Sequence, residues 1–212
     1  DNWIALRGSN DLQNESFLDS VNKELYLVKG VDNKTGIIFA KEGLTARKWI
    51  VQFDFKIGNS GWPGDGGIIN DGMVFMFYKK TSYTAGGGGS LGFDQVNTTG
   101  CSNIGVSGYG IEFDNYQDSI VAGNCENDPS ENHIAIIENN TDNHLSYIND
   151  PRTEDNIWHK AKIDFDNEVI SVSIDGSVLI NNFVIPNPDY SFSGMGFGAS
   201  SGGDTAEANN AA

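Results

Sequence analysis

Short runs of alternating apolar and polar residues recur along this chain, separated by turn residues. In Trp49-Ile-Val51-Gln-Phe53-Asp-Phe55-Lys-Ile57 the odd positions are apolar and form one face, the period of a half-buried strand. Similar runs predict strands over Trp3–Leu6, Glu24–Val28, Gly36–Ala40, Gly72–Tyr78, Gly108–Asp114 and His133–Glu138 in the first two thirds. Trp158–Phe165, Val169–Ile174, Ser177–Phe183 and Met195–Ala199 follow. Asp175-Gly176 between two of these runs reads as a tight hairpin turn. Helical periodicity is hard to find and no repeat of fixed period is visible. The expectation is all-β, an antiparallel β-sandwich of two packed sheets.

At 212 residues the chain fits one such domain, predicted to span residues 1–204, with residues 205–212 a polar, frayed or truncated tail. A hydrophobic content of 38% supports a sizeable core, and no apolar run approaches a membrane span. The net charge of −16 argues against nucleic acid and anionic membrane surfaces as partners, since both repel it. Three Gly-rich stretches interrupt the strands: 59–70, 81–101 and 200–204. They are either connectors or places where backbone N–H groups approach a ligand. Trp49 and Trp158 sit in strand patterns and are expected in the core, while His144 and His159 read as surface or hydrogen-bonded residues rather than ligands.

The chemistry concentrates in residues 112–133. Glu112 and Asp114 are two apart, so on a strand they share a face, and Phe113 points into the core. Tyr116 and Asp118 continue beyond the strand end, and Asp128 and His133 follow a loop. Calcium takes six to eight oxygens, and Asp114, Asp118, Asp128 and the Tyr116 carbonyl supply four. Glu112 and His133 suit a second, more nitrogen-tolerant divalent ion. The alternative for these residues is a solvated acidic loop, common in so acidic a chain; the calcium-binding helix–loop–helix spacing is absent.

Asp1 in place of an initiator Met is consistent with a removed signal peptide or an excised fragment. Asn-x-Ser/Thr sequons begin at Asn14, Asn33, Asn97 and Asn139. A disulfide between Cys101 and Cys125 would pin the metal loop and contribute roughly 3 kcal/mol; two free thiols are the alternative. These features favour a secreted or cell-surface location.

Five segments, in order, resemble the L-type (legume-type) lectins. They are Asn70-Asp71-Gly72-Met-Val-Phe-Met-Phe77, Gly86–Phe93, Gly110-Ile-Glu112-Phe-Asp114, Asp128-Pro129 with His133-Ile-Ala-Ile136, and Gly196–Gly202. The resemblance covers roughly residues 3–204 and implies a concanavalin A-like jelly roll that binds sugar beside calcium. It implies that Asp71, held in the family by a cis peptide, accepts hydrogen bonds from sugar hydroxyls, and that Gly89 donates its N–H. It implies that Tyr116 lays its ring on the pyranose while its carbonyl binds calcium, and that Gly203 and Asp204 form a variable rim. The implied calcium set is Asp114, Tyr116, Asp118 and Asp128. A neighbouring manganese-like ion would take Glu112, Asp114, Asp128 and His133. Asp118 stands where the family has an Asn that also donates to sugar; an ionised carboxylate cannot donate, and Asn124 or Asn127 is the candidate replacement. The implied function is calcium-dependent binding of mannose- or glucose-like glycans or glycoproteins, as a domain of a larger secreted or adhesion protein. A sandwich-fold glycoside hydrolase and a metal-stiffened structural module are the alternatives. Gln117 stands where sandwich glucanases place a proton-transferring Glu, which argues against an enzyme.

Overall fold

The computed structural model describes residues 3–5, 16–28, 34–40, 42, 44–58, 71–80, 86–93, 107–117, 128–186 and 194–201. Its strands are β1 (Trp3–Ala5), β2 (Phe17–Asp19), β3 (Glu24–Tyr26), β4 (Thr35–Ala40), β5 (Lys48–Phe55), β6 (Gly72–Lys80) and β7 (Ser107–Asp114). They continue with β8 (His133–Glu138), β9 (His144–Asn149), β10 (His159–Asp166), β11 (Val169–Ile174), β12 (Ser177–Val184) and β13 (Gly194–Ser200). All strand pairs are antiparallel. One sheet runs β1-β4-β13-β6-β7-β8-β9, a second runs β12-β11-β10-β5, and β2-β3 is a separate hairpin. Among the described residues no helix is long and apolar enough to cross a membrane.

The alternation read from the sequence is what glues the sheets. Phe75, Phe77, Ile111, Phe113, Ile134 and Ile136 of the larger sheet meet Trp49, Phe55, Ile163, Phe165 and Val172 of the smaller one in a single core. The odd residues of β5 do face inward: Trp49 stacks on Phe165 with ring centroids 4.9 Å apart. Trp158 departs from the expectation. It lies just before β10 and is 48% exposed, with Lys56 Nζ 5.5 Å above its ring. His159, one position on, takes the buried phase instead.

The other face of the larger sheet is also buried. Val74, Met76, Tyr78, Ala135 and Ile137 pack there with Leu91 and Phe93, which follow a short 3-10 turn at Gly88–Ser90. A sheet covered on both sides hides its strand residues continuously, so β7 and β8 show little alternation in exposure. This second layer carries Glu112 and Asp114, since they share the face opposite Phe113.

Two strands were not anticipated. β2 is three residues long in a polar stretch, and β9 begins at a histidine after an Asn-rich turn. Asp175 and Gly176 both have positive φ, 51° and 81°, as the two-residue hairpin turn requires.

Candidate functional site

Register gathers the site at one end of the larger sheet. Gly72, the first residue of β6, lies opposite Asp114, the last of β7, and opposite Ser200, the last of β13. Asp114 in turn lies opposite His133, the first residue of β8. Asp71 is therefore held between two strand ends. Its N–H donates to the Ser200 carbonyl at 3.2 Å and its carbonyl accepts from the Asn115 N–H at 3.1 Å. Gly72 has φ +143°, and a Cβ there would meet the Phe113 carbonyl oxygen at 2.3 Å, so only glycine fits this close approach.

Ser200 also connects Asp71 to the glycine loop, because its hydroxyl donates to the Gly88 carbonyl. Gly89 sits buried in the adjoining 3-10 turn. Beyond β7 the chain bends where Asp114 Oδ1 accepts the Tyr116 N–H at 2.8 Å. The Asn115 side chain is buried and donates to the Gly58 carbonyl at 3.1 Å, anchoring the bend to the start of the segment that precedes β6. Tyr116 is half-buried.

Three buried carboxylates and two imidazoles converge here. Ligand atoms of Asp114, Asp128 and His133 lie within 4.8 Å of one another, and so do those of Glu112, His133 and His144. Two donors on one calcium ion cannot stand more than roughly 5 Å apart, so the first group can share such an ion. Glu112 is fully buried; burial opposes its ionisation, yet His133 and His144 beside it outweigh that cost and hold its carboxyl below the ordinary value. His144 is shifted the other way. Burial disfavours its charged form, but Glu112 and Asp142 raise it above the usual imidazole value. So dense a set of buried acids is stable only with positive charge among them.

The structure thus brings together Asp71, Gly89, Glu112, Asp114, Tyr116, Asp128 and His133 at one end of the sheet or in the turns bonded to it. Asp71 is less open than a sugar acceptor was expected to be, with 2% of its surface exposed. Asp118, Asn127, Gly203, Asp204, Cys101 and Cys125 lie outside the described residues, as does Asn70 of the expected cis bond. His144, expected as a surface or hydrogen-bonded residue, is paired with Glu112. Its side chain is 8% exposed and its Nε2 lies 3.0 Å from Glu112 Oε2. Its neighbour Asn143 is exposed, and the Asn143 Nδ2 donates to the Glu138 carbonyl.

No family model and no curated protein matches this chain. Solved structures do. The calcium- and mannose-bound exoplasmic/lumenal domain of VIP36 superposes with a TM-score of 0.65 at 15% identity, over 96% of this chain and 77% of that one. The potassium-bound carbohydrate recognition domain of Emp46p gives 0.59 at 13% identity, over 95% and 82%. That of Emp47p gives 0.56 at 13% identity, over 95% and 80%. The fold is that of the L-type lectins. Within that fold Glu112 and Asp114 lie on the face of the larger sheet opposite Phe113, toward the end where Asp114 pairs with Gly72 and His133.

Proposed function

We propose that this L-type lectin-fold chain is a calcium-dependent carbohydrate-binding domain for mannose- or glucose-type glycans, acting in the secretory pathway or at the cell surface. The observation that carries this reading is the register that sets Asp71-Gly72 beside Asp114 and His133, with Ser200 linking Asp71 to the glycine turn. The VIP36 domain holds calcium and mannose in the same fold.

The donor set fits calcium. Asp114 and Asp128 supply hard oxygens within reach of one ion, and the bend at Tyr116 starts the loop that a metal would fix. Asp118 and the Tyr116 carbonyl would complete the protein ligands. When bound, the ion supplies charge compensation and holds the loop after β7. The chain's own groups do the recognition: Asp71 accepts from sugar hydroxyls, the Gly89 N–H donates, and the Tyr116 ring covers an apolar sugar face. Asn127, Gly203 and Asp204 would shape the rim. Fixing these groups beforehand lowers the ordering cost of binding. Affinity per site is weak and rises through multivalent display.

The deep seating of Asp71 favours a second reading, a metal-stiffened module that binds no sugar. A glycan array with calcium and with chelator separates the two. Chelator-sensitive retention of mannosides, lost by at least about tenfold in Asp71→Asn with an unchanged melting temperature, supports the lectin. No glycan signal, with calcium still raising thermal stability, supports the module.

A further inference from the structure

Of the four Asn-x-Ser/Thr sequons, Asn139-Asn140-Thr141 falls within the described residues; those at Asn14, Asn33 and Asn97 lie outside them. It occupies the turn between β8 and β9. Asn139 directly follows β8 and meets Gly108 near the start of β7, where the two residues exchange hydrogen bonds. The Asn139 N–H donates to the Gly108 carbonyl at 2.9 Å, and the Gly108 N–H donates to Asn139 Oδ1 at 3.1 Å.

That exchange orients the side-chain amide. Only its oxygen can accept the Gly108 N–H, so Oδ1 faces β7 and Nδ2 lies on the other side of the planar group. Asn139 is exposed, and its φ of +66° is a left-handed turn conformation in which asparagine is favoured. The fold uses the main chain and Oδ1 of this residue, tasks that an aspartate would perform as well. Among the described residues Nδ2 has no hydrogen-bond partner. A sugar in place of one Nδ2 hydrogen keeps the bond to Gly108 and sends its bulk into solvent. Asn140 at the middle position is not proline, so the sequon is competent. Thr141 is only 2% exposed. An enzyme that reads its hydroxyl must therefore act before the β8–β9 turn closes, on the chain as it is made.

We infer that Asn139 is the attachment point of an N-linked oligosaccharide. The inference rests on the proposed passage through the secretory pathway and needs neither calcium nor sugar recognition. The step joins Nδ2 to the anomeric carbon of the first N-acetylhexosamine. The lipid pyrophosphate that carried the oligosaccharide departs from that carbon, and a proton leaves Nδ2, so nothing is oxidised or reduced. Asn139 stands about 20 Å along β8 from His133, at roughly 3.4 Å per residue. The oligosaccharide thus leaves from the far end of the strand and keeps the Asp71–Asp114 end open.

The full chain, secreted from cultured eukaryotic cells behind a cleavable leader, tests this. Peptide-N-glycosidase in heavy-oxygen water converts each glycosylated Asn to a labelled Asp, and peptide mapping reads Asn139 separately from Asn14, Asn33 and Asn97. Label at position 139 is expected. Asn139→Asp retains the oxygen that Gly108 needs, so it should be secreted normally and lose one oligosaccharide from the intact mass. Thr141→Ser should keep that oligosaccharide. A secreted chain whose 139 peptide is unlabelled overturns the inference, as does an unchanged oligosaccharide mass in Asn139→Asp. Label at 139 with no calcium-dependent mannoside signal on a glycan array would instead sink the proposed function and leave the attachment site standing.

Discussion

At the scale of single residues, carboxylates in this acidic molecule favour the charged form of two histidines, His144 and His159. His159 shows the pattern away from the Glu112 cluster. Its Nδ1 lies 2.7 Å from Asp175 Oδ2 and its Nε2 lies 2.9 Å from Asp155 Oδ2, so the ring can donate to a carboxylate at each nitrogen only when protonated. Arg152 and Asp150 complete the surroundings; Arg152 Nη1 is 3.8 Å from the same Asp175 oxygen, and Phe55 faces the ring at 5.7 Å. Burial favours the neutral ring, but Asp175 and Asp155 outweigh it and raise His159 above its ordinary value of 6.5. A raised folded pKa means the contribution is complete below about 6.5 and fades as pH rises through the folded value. Urea unfolding of His159→Gln against the unmutated protein should therefore show the larger deficit near about pH 5.5 and the smaller near about pH 9. A deficit that grows with pH would contradict the doubly bonded imidazolium.

Elements place these residues with tolerances that single positions do not reveal. Gly72 is the junction where β6 passes the end of β7, and both its φ of +143° and the Phe113 carbonyl 2.3 Å from any Cβ exclude a side chain. Gly72→Ala should lose at least about 2 kcal/mol in denaturant unfolding, because backbone strain and overpacking act together. It should also displace Asp71 and weaken any glycan response. A neutral result would mean that the β6–β7 junction yields easily. The same scale explains what the sequence made legible. Alternation identified β5 and β10–β12 because one face of each is the more open, whereas β9 was hidden by its Asn-rich approach and shifted register. Trp158 was misplaced by one residue of phase, since period-2 patterns cannot say where a strand begins.

Over the whole molecule, a net charge of −16 is opposed to compaction, and among the described residues Glu112, Asp114 and Asp128 are buried at one sheet end. Metal binding should then act on stability as well as on ligand recognition. A site held at about 100 times its Kd contributes about 2.7 kcal/mol. For a chain of this size that corresponds to a melting temperature roughly 5–10 °C higher than with chelator present. Differential scanning calorimetry with excess calcium and with chelator reads this directly, and coincident curves would remove calcium from the proposed function.

The sequence alone determined the sandwich, the inward Phe113 and the shared face of Glu112 and Asp114, because strand periodicity is local and needs only neighbouring residues. Five short segments in order were enough to anticipate the lectin fold. The tertiary structure alone decided that Asp71 is tied to Ser200 and Asn115, and that His144 reaches Glu112. These contacts join strands far apart in the chain or pass through a register shift. Spacing along the sequence carries no record of either, since both are fixed only when the sheet closes its hydrogen bonds.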